Sequence, residues 1–216
     1  DEEETTNDDF AIHLQFLEQF FRVVLEGIST DAFELLNTLV VELYRDKGID
    51  SSSPFETLPP EAYPIFDDLY ALINKKLSKE KDAYFKHNYQ ILQTYVQKFS
   101  TGGRNSNLWN GHTSLTTTEN FIVFNFRTLF ANRNTGLANA QMLLIFKYLN
   151  NEIIKNRDYN LRHNFKRQVV VAVDEAHMFI DPNFPVALSF MAEMAKRIRK
   201  YEGMEIIITQ NIKDFL

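Results

Sequence analysis

The sequence predicts an α/β protein in which an all-helical first half precedes a second half built on a parallel sheet. Apolar residues recur at helical spacing through residues 10–99, which is the pattern of amphipathic helices. After residue 107, short apolar runs alternate with helical segments, which is the pattern of parallel strands joined by helices. A content of 44% hydrophobic residues with 19 phenylalanines indicates that both halves have a substantial core.

Composition and charge exclude several classes of protein. The formal net charge is −6, but six of the 29 acids lie within residues 1–9, so the remaining 23 acids balance the 23 Lys and Arg residues. The chain therefore lacks the overall positive charge of a broad nucleic-acid-binding surface. It has no cysteine, which excludes disulfides and fits a reducing compartment. It also lacks the run of about 18 apolar residues that a membrane-spanning helix requires.

The first half is predicted to be a helical subdomain at residues 10–100, between an acidic flexible end at residues 1–9 and a linker. The linker, T-G-G-R-N-S-N at residues 101–107, leads into an α/β core at residues 108–216. Thr30 is the expected N-cap of the second helix, and Gly48 suits its end. Helices are predicted at residues 10–26, 30–46, 61–77 and 82–99.

The second half is predicted to alternate strands with helices. Strands are expected at residues 121–126, 168–173 and 205–209, and helices at residues 137–156 and 186–201. This order is typical of a parallel sheet with right-handed crossovers. Gly203 suits the end of the second of these helices. Residues 157–167 form a basic loop that is either solvated or in contact with nucleic-acid phosphates.

Two carboxylates follow the most apolar strand. The run V-V-V-A-V at residues 169–173 predicts a strand buried on both faces, and it leads directly into Asp174 and Glu175. Carboxyl ends of parallel strands are where open α/β sheets bind ligands. In nucleotide-hydrolysing proteins an Asp at this place holds Mg²⁺, and a neighbouring acid polarises the attacking water. The alternative is a strand end that carries two solvated acids.

Polar and basic groups accompany the next strand. Thr209 and Gln210 end it, so an amide there could reach a nucleotide phosphate or its attacking water, although an ordinary polar strand end would look the same. The connecting helix carries a basic run of Lys196, Arg197, Arg199 and Lys200. Such arginines either stabilise phosphoryl transfer across a subunit contact or merely complement the dipole of the helix end.

The phosphate-binding loop of such proteins, G-x-x-x-x-G-K-[S/T], is absent from these 216 residues. None of the seven glycines is followed by lysine. The sequence therefore offers the metal and water half of a nucleotide site without the half that grips phosphates. Either the loop lies upstream in a longer parent protein, which we expect, or the protein never bound nucleotide. The five histidines show no pair with metal-ligand spacing, so no zinc site is predicted.

Four motifs in the second half resemble the conjugation ATPases of type IV secretion systems, the VirB-four type, within the wider HerA–FtsK group of motor ATPases. The motifs are F-I-V-F-N-F at residues 121–126, V-V-V-A-V-D-E-A-H at 169–177, A-K-R-I-R-K at 195–200 and T-Q-N-I-K-D-F at 209–215. The resemblance implies a partial RecA-like P-loop parallel sheet carrying a large all-helical insertion. His177 stands where such ATPases often carry Trp. A poorer resemblance is to the helicases named for D-E-A-H, which carry Ser-Ala-Thr after the next strand.

The resemblance also implies roles for individual residues. Asp174 would serve Mg²⁺, Glu175 would activate water, Thr209 would lie at the nucleotide, and Gln210 would sense the γ-phosphate of ATP. Arg197 or Arg199 would act across a subunit boundary.

The whole protein would then be an ATP-hydrolysing motor for conjugative DNA transfer or type IV secretion, and this fragment alone would be inactive. The whole protein would assemble as a hexamer in the cytoplasm, peripheral at the inner face of the cell membrane. Its partners would be inner-membrane channel components and a coupling ATPase, with DNA as a further candidate. The rival interpretations are a HerA/FtsK-like DNA translocase and a non-catalytic helical interaction module on a degenerate core.

Overall fold

A computed structural model describes residues 9–55, 58–113, 119–128, 135–179 and 185–210 of the chain. The chain divides into two compact units, with the boundary between Ile122 and Val123. The first unit is helical in its described residues, and the second combines helices with a small parallel sheet. The prediction of an α/β protein is confirmed at this level. The acidic end predicted at residues 1–9 lies, except for Asp9, outside the described residues.

All four helices predicted in the helical unit are present, and a short fifth helix follows them. Ser29 rather than Thr30 caps α2, because the Ser29 hydroxyl accepts the backbone N–H of Ala32 at 3.3 Å. The third helix begins five residues later than predicted. Pro64 holds the preceding Tyr63 in an extended conformation, which a helix cannot continue through. The helices are α1 Asp9–Val24, α2 Thr30–Asp46, α3 Phe66–Lys79, α4 Ala83–Gln97 and α5 Ser106–Trp109.

The residues predicted as a linker close back onto the helical unit. The Thr101 backbone N–H donates to Asp67 Oδ1 at 2.7 Å, and the Thr101 hydroxyl donates to Asp67 Oδ2 at 2.5 Å. Beyond them, the Trp109 indole stacks on Phe99 at 5.5 Å and meets Phe20 edge-on at 5.2 Å. These contacts place residues 101–109 in the helical unit, and the division between units comes later, after Ile122.

The α/β unit contains α6 Thr135–His163, β1 Val169–Val173, α7 Pro185–Arg197 and β2 Gly203–Ile207. The two strands pair in parallel, with register from Val169 opposite Gly203 to Val173 opposite Ile207. The two strands and the crossover helix between them were predicted, within two residues at each strand end.

Helix α6 is longer than predicted, because it continues through residues 157–163, which were expected to form a loop. Arg162 and His163 in its last turn are favourable at the negative end of the helix dipole. The helix ends at Asn164, which adopts a left-handed conformation with φ 49°. Although α6 has 29 residues, neither it nor any other described helix is long and apolar enough to cross a membrane.

The core of the α/β unit covers one face of the sheet. Val171 points into a cluster built by α6 and α7, in which the Phe146 and Phe190 rings stack at 4.1 Å. On the opposite face, Val170 is 52% exposed and Met204 is 49% exposed. The prediction that β1 is buried on both faces is therefore wrong for this structure, because no described element of the unit packs against the second face.

The strand predicted at residues 121–126 is absent; these described residues are irregular. Phe124 meets the Tyr148 ring edge-on at 5.9 Å, and Phe126 meets the Phe179 ring edge-on at 5.4 Å. Phe124 and Phe126 thus pack against the α/β unit, whereas Phe121, Ile122 and Val123 remain exposed. A strand also needs a hydrogen-bonded neighbour, and β1 pairs only with β2 within the described residues.

The turn into β2 uses Glu202, rather than Gly203, as its left-handed residue. Glu202 has φ 57°, so it takes the backbone conformation that the sequence assigned to glycine. Gly203 is needed for a different reason. A Cβ atom on Gly203 would lie 2.6 Å from Ile198 Cγ1, so only glycine lets β2 start this close to the end of the preceding turn.

A buried polar network fixes the starts of both strands. Asn156 and Asn160, which are 1% and 4% exposed, each donate to the carbonyl of Arg167 at 2.8 and 2.7 Å. Asn160 Oδ1 accepts the Arg167 backbone N–H at 3.1 Å, and its amide group also donates to the Glu202 carboxylate. Because Arg167 precedes β1 and Glu202 precedes β2, Asn160 ties both strands to α6.

Replacing Asn160 by Ala is expected to destabilise the α/β unit by about 2–3 kcal/mol, because it leaves buried polar groups without partners. Hydrogen exchange measured by mass spectrometry should show faster exchange in the peptides that contain β1 and β2. The fluorescence of Trp109, the single tryptophan, reports on unfolding of the helical unit. The denaturant concentration at the midpoint of this transition should equal that of the wild type. Asn151→Ala, at an exposed position of α6, is the matched control. Unchanged exchange in residues 169–173 would contradict this role of Asn160.

Candidate functional site

The candidate site lies where β1 and β2 end. The parallel pairing continues beyond the strands, because the Ile208 N–H donates to the Val173 carbonyl and the Ala176 N–H donates to the Ile208 carbonyl, each at 2.9 Å. This extension holds the residues after β1 against those after β2. Glu175 and Gln210, 35 positions apart in sequence, are therefore neighbours at one edge of the sheet.

Both oxygens of the Glu175 carboxylate are engaged. Gln210 Nε2 donates to Glu175 Oε1 at 2.8 Å, and His177 Nδ1 lies 3.3 Å from Glu175 Oε2. These two contacts fix the carboxylate from two directions. The structure thus brings together the acid and the amide that the sequence placed at the same sheet edge, and it adds the histidine.

The backbone at Glu175 makes the sharp turn that this arrangement needs. Glu175 adopts φ 50° and ψ 46°, the left-handed conformation, which costs about 1–2 kcal/mol for a residue other than glycine. Its N–H donates to Asp174 Oδ1 at 2.9 Å. The following residues, Ala176–Met178, form a single 3₁₀ turn that brings His177 back beside Glu175. A strained residue of this kind in a candidate site is consistent with a functional constraint.

The acidic pair is open to solvent, and carboxylates are the ligands that Mg²⁺ takes from proteins. Asp174 is exposed, and the Glu175 and His177 side chains are 47% and 41% exposed. Within the described parts of the chain, no three His, Cys, Asp or Glu residues gather closely enough to hold a metal ion. This donor set does not fit zinc, which takes three or four protein ligands. It fits Mg²⁺, which binds through one or two carboxylates and completes its shell with water and substrate phosphates.

The remaining predicted site residues lie at opposite ends of the two strands; we call the end that carries Glu175 the acidic edge. Thr209 is half-buried next to Gln210 at the acidic edge. Arg197 and Arg199 are exposed at the opposite edge, just before β2 begins, and Arg197 Nη1 lies 4.0 Å from the Glu193 carboxylate. Since a five-residue strand is about 15 Å long, these arginines do not reach Glu175 of the same chain.

Two residues of this region were missed by sequence reasoning. His177 was assigned no role, although its position two residues after Glu175 allows a 3₁₀ turn to bring the side chains together. Glu205 was treated only as the start of a strand. It lies opposite Val171 on the helix-covered face, and its Oε1 atom is buried with no hydrogen-bond partner among the described residues. Burial raises the pKa of the Glu205 carboxyl above its usual value.

Comparison with known proteins connects this fold to a known structure. No protein-family model matches the chain. The solved structure of VirB4 of Thermoanaerobacter pseudethanolicus is 30% identical to it and matches with a TM-score of 0.73, over 97% of this chain and 52% of that one. An uncharacterized protein of Bacillus anthracis is 24% identical over 184 residues, which is 81% of this chain and 28% of that protein.

The resemblance to the VirB4 type that the motifs predicted is therefore confirmed in both sequence and fold. The chain spans about half of the VirB4 chain and just over a quarter of the Bacillus protein.

We expect Glu205→Gln to stabilise the α/β unit at neutral pH, because it removes a desolvated charge. Because burial raises the folded-state pKa of Glu205, the stability that protonated Glu205 contributes is fully present below the unfolded pKa of about 4.3, and this contribution is lost as pH rises through the folded pKa. Since Glu205 is partly exposed, the gain at pH 7 should be about 1 kcal/mol or less.

Urea unfolding measured between about pH 4 and 8 tests this expectation. The difference between Glu205→Gln and wild type should grow as pH rises. Glu152→Gln, on α6, removes the same charge from a carboxylate that is 31% exposed and paired with Lys155 at 2.9 Å. A difference independent of pH, or one that also appears in the Glu152 variant, would contradict a desolvated Glu205.

Proposed function

We propose that this chain, which is similar to VirB4 over nearly its whole length, is part of an ATP-hydrolysing motor of a type IV secretion system. The parent protein would use ATP hydrolysis to drive conjugative DNA transfer or secretion. The observation that carries the proposal is the Gln210–Glu175 hydrogen bond of 2.8 Å at the carboxyl ends of two parallel strands. In parallel α/β sheets this edge is where ligands bind, and a paired acid and amide there suit a water that attacks a phosphate.

The 216 residues would form the metal and water half of a RecA-like nucleotide site. The phosphate-gripping loop would lie in another part of the parent, in keeping with a chain that spans about half of VirB4. Asp174 would hold Mg²⁺, which neutralises charge on the phosphates when it is bound. Thr209 would lie beside the nucleotide. The helical unit at residues 10–100 would be the insertion that the family layout implies.

Glu175 would act as the base in hydrolysis. Its carboxylate would accept a proton from the attacking water as the oxygen forms a bond to the γ-phosphorus and the bond to ADP breaks. Gln210 would hold the Glu175 carboxylate in position and respond to the γ-phosphate. The contact to His177 would add a second restraint, so that Glu175 is oriented before substrate arrives.

Arg197 and Arg199 would serve the site of a neighbouring subunit. Their position at the opposite sheet edge from Glu175 supports an action between subunits rather than within one chain. A head-to-tail arrangement that closes, such as a hexamer, would put Arg197 and Arg199 of each subunit near Glu175 of the next. Arginine placed there stabilises the charge that develops during phosphoryl transfer.

The proposed setting follows from the same resemblance. The parent would work in the cytoplasm, peripheral at the inner face of the cell membrane. It would dock on inner-membrane channel components and a coupling ATPase.

Glu175→Gln in the parent protein is expected to lower ATP turnover by about 10²–10⁴-fold, because the amide cannot accept the proton of water. Nucleotide affinity should remain within a few-fold of wild type, since the substitution preserves size and the contact to Gln210. Steady-state phosphate release and calorimetric titration measure the two quantities. Glu152→Gln is the control for charge. Undiminished turnover in Glu175→Gln would exclude Glu175 as the base.

Calorimetric titration of Mg²⁺ and a non-hydrolysable ATP analogue distinguishes the two halves of the proposed site. The 216-residue chain should show no binding, and a parent protein that contains a phosphate-binding loop should bind in the micromolar range, near the usual range of substrate affinity. Asp174→Asn in the parent should weaken the Mg²⁺-dependent part of the affinity. Binding by the short chain would show that other residues grip the phosphates.

A further inference from the structure

The tertiary structure joins two basic segments that are separate in the sequence. Residues 157–167, from the end of α6 to the start of β1, lie beside residues 193–202, from the end of α7 to the start of β2. The Arg157 guanidinium lies over the Tyr201 ring at 5.0 Å, and Asn160 donates to Glu202. We call these two segments together the basic edge; it is the edge opposite Glu175.

The basic edge carries a concentrated positive charge. Its two segments contain eight Lys and Arg residues and three acids. Each acid is already engaged: Asp158 with Arg157 at 2.9 Å, Glu202 with Asn160, and Glu193 near Arg197 at 4.0 Å. The cations Arg162, Lys166 and Lys200 are all exposed to solvent. A local cationic surface therefore exists on a chain whose overall charge is negative.

Exposed aromatic rings lie among these cations. Tyr159 is 43% exposed and Phe165 is 59% exposed. The Tyr159 and His163 rings are 4.4 Å apart, and the Arg167 guanidinium lies over the Tyr159 ring at 4.7 Å. An exposed aromatic pair flanked by cations is the combination with which proteins bind unpaired bases and their phosphates.

We propose that the basic edge binds single-stranded nucleic acid. Arg162, Lys166 and Lys200 contact phosphates, and a base stacks on Phe165. Tyr159, whose ring already packs with His163 and Arg167, supports Phe165 through an edge-on contact at 6.4 Å. Charge complementarity selects a polyanion, and the exposed Phe165 ring selects unpaired bases over a duplex, whose bases are already stacked. This binding needs no nucleotide hydrolysis, so a test of it does not depend on the proposed ATPase site.

The first test is fluorescence anisotropy of the 216-residue chain with a labelled oligothymidylate of roughly 20 nucleotides, without ATP, at about 50 mM salt. The chain should bind the single strand at least tenfold more tightly than a duplex of equal length. The logarithm of the affinity should fall linearly with the logarithm of salt concentration, by about 0.7 for each phosphate contacted.

Two sets of variants separate stacking from charge. Tyr159→Leu with Phe165→Leu should weaken binding about tenfold and leave the salt slope unchanged, because stacking carries no charge. Arg162→Gln, Lys166→Gln and Lys200→Gln together should reduce the slope by about two. Two further variants guard against a loss that reflects unfolding. Phe165→Leu alone changes only the more exposed ring, and Phe165→Tyr should retain binding.

The helical unit supplies matched controls. Tyr84 and Phe85 on α4 are 55% and 47% exposed and are flanked by Lys81 and Lys86, so they repeat the composition of the basic edge without its concentration of charge. Tyr84→Leu with Phe85→Leu should leave binding unchanged. Equal affinity for duplex, no effect of the Tyr159 and Phe165 variants, or binding to anionic lipid vesicles without binding to the oligonucleotide would each overturn the proposal.

Discussion

The α/β unit depends on the parallel pairing of β1 with β2. Two five-residue strands are marginal by themselves, and three sets of contacts hold them. Helices α6 and α7 cover one face, Asn156 and Asn160 anchor the strand starts, and backbone bonds of Ile208 extend the pairing past the strand ends. A slip of one residue in register would turn Val171 out of the core and separate Gln210 from Glu175, so the candidate site and the core require the same register.

This pairing also explains why the two edges of the sheet differ in charge. Because β1 and β2 are parallel, α7 must carry the chain back from the end of one strand to the start of the other. The basic residues at the end of α7 consequently lie at the edge where strands begin, and the acidic pair after β1 lies at the other edge. The proposed subunit contact uses Arg197 and Arg199 of the basic edge, whereas the proposed nucleic-acid contact depends on Phe165, which follows α6, and on Tyr159 of α6. One helical crossover thus gives the unit two chemically distinct ends.

Buried polar groups show how this unit balances specificity against stability. Asn160 has its hydrogen-bonding groups satisfied by Arg167 and Glu202, which makes it a specific anchor for two strands. Glu205 is partly buried on the same sheet, and its Oε1 atom has no hydrogen-bond partner among the described residues. Burial raises the pKa of the Glu205 carboxyl. Glu175 adds backbone strain at the candidate site. The unit therefore retains two unfavourable features, one in the middle of β2 and one at the candidate site, and the packing of α6 and α7 has to offset them.

The sequence by itself determined the helices, the strands β1 and β2, and the acid and amide at their ends. Helical periodicity, apolar runs and the residues that follow a strand are local patterns that neighbours in sequence express. Only the tertiary structure decided the rest. In the structure, residues 121–126 form no strand, Val170 is exposed, and Trp109 packs in the helical unit. His177 and Gln210 contact Glu175, and the two basic segments lie side by side. Most of these outcomes depend on which distant residues come into contact, and the contact of His177 depends on the backbone turn at Glu175. Composition and spacing along the chain determine neither the contacts between distant residues nor this backbone turn.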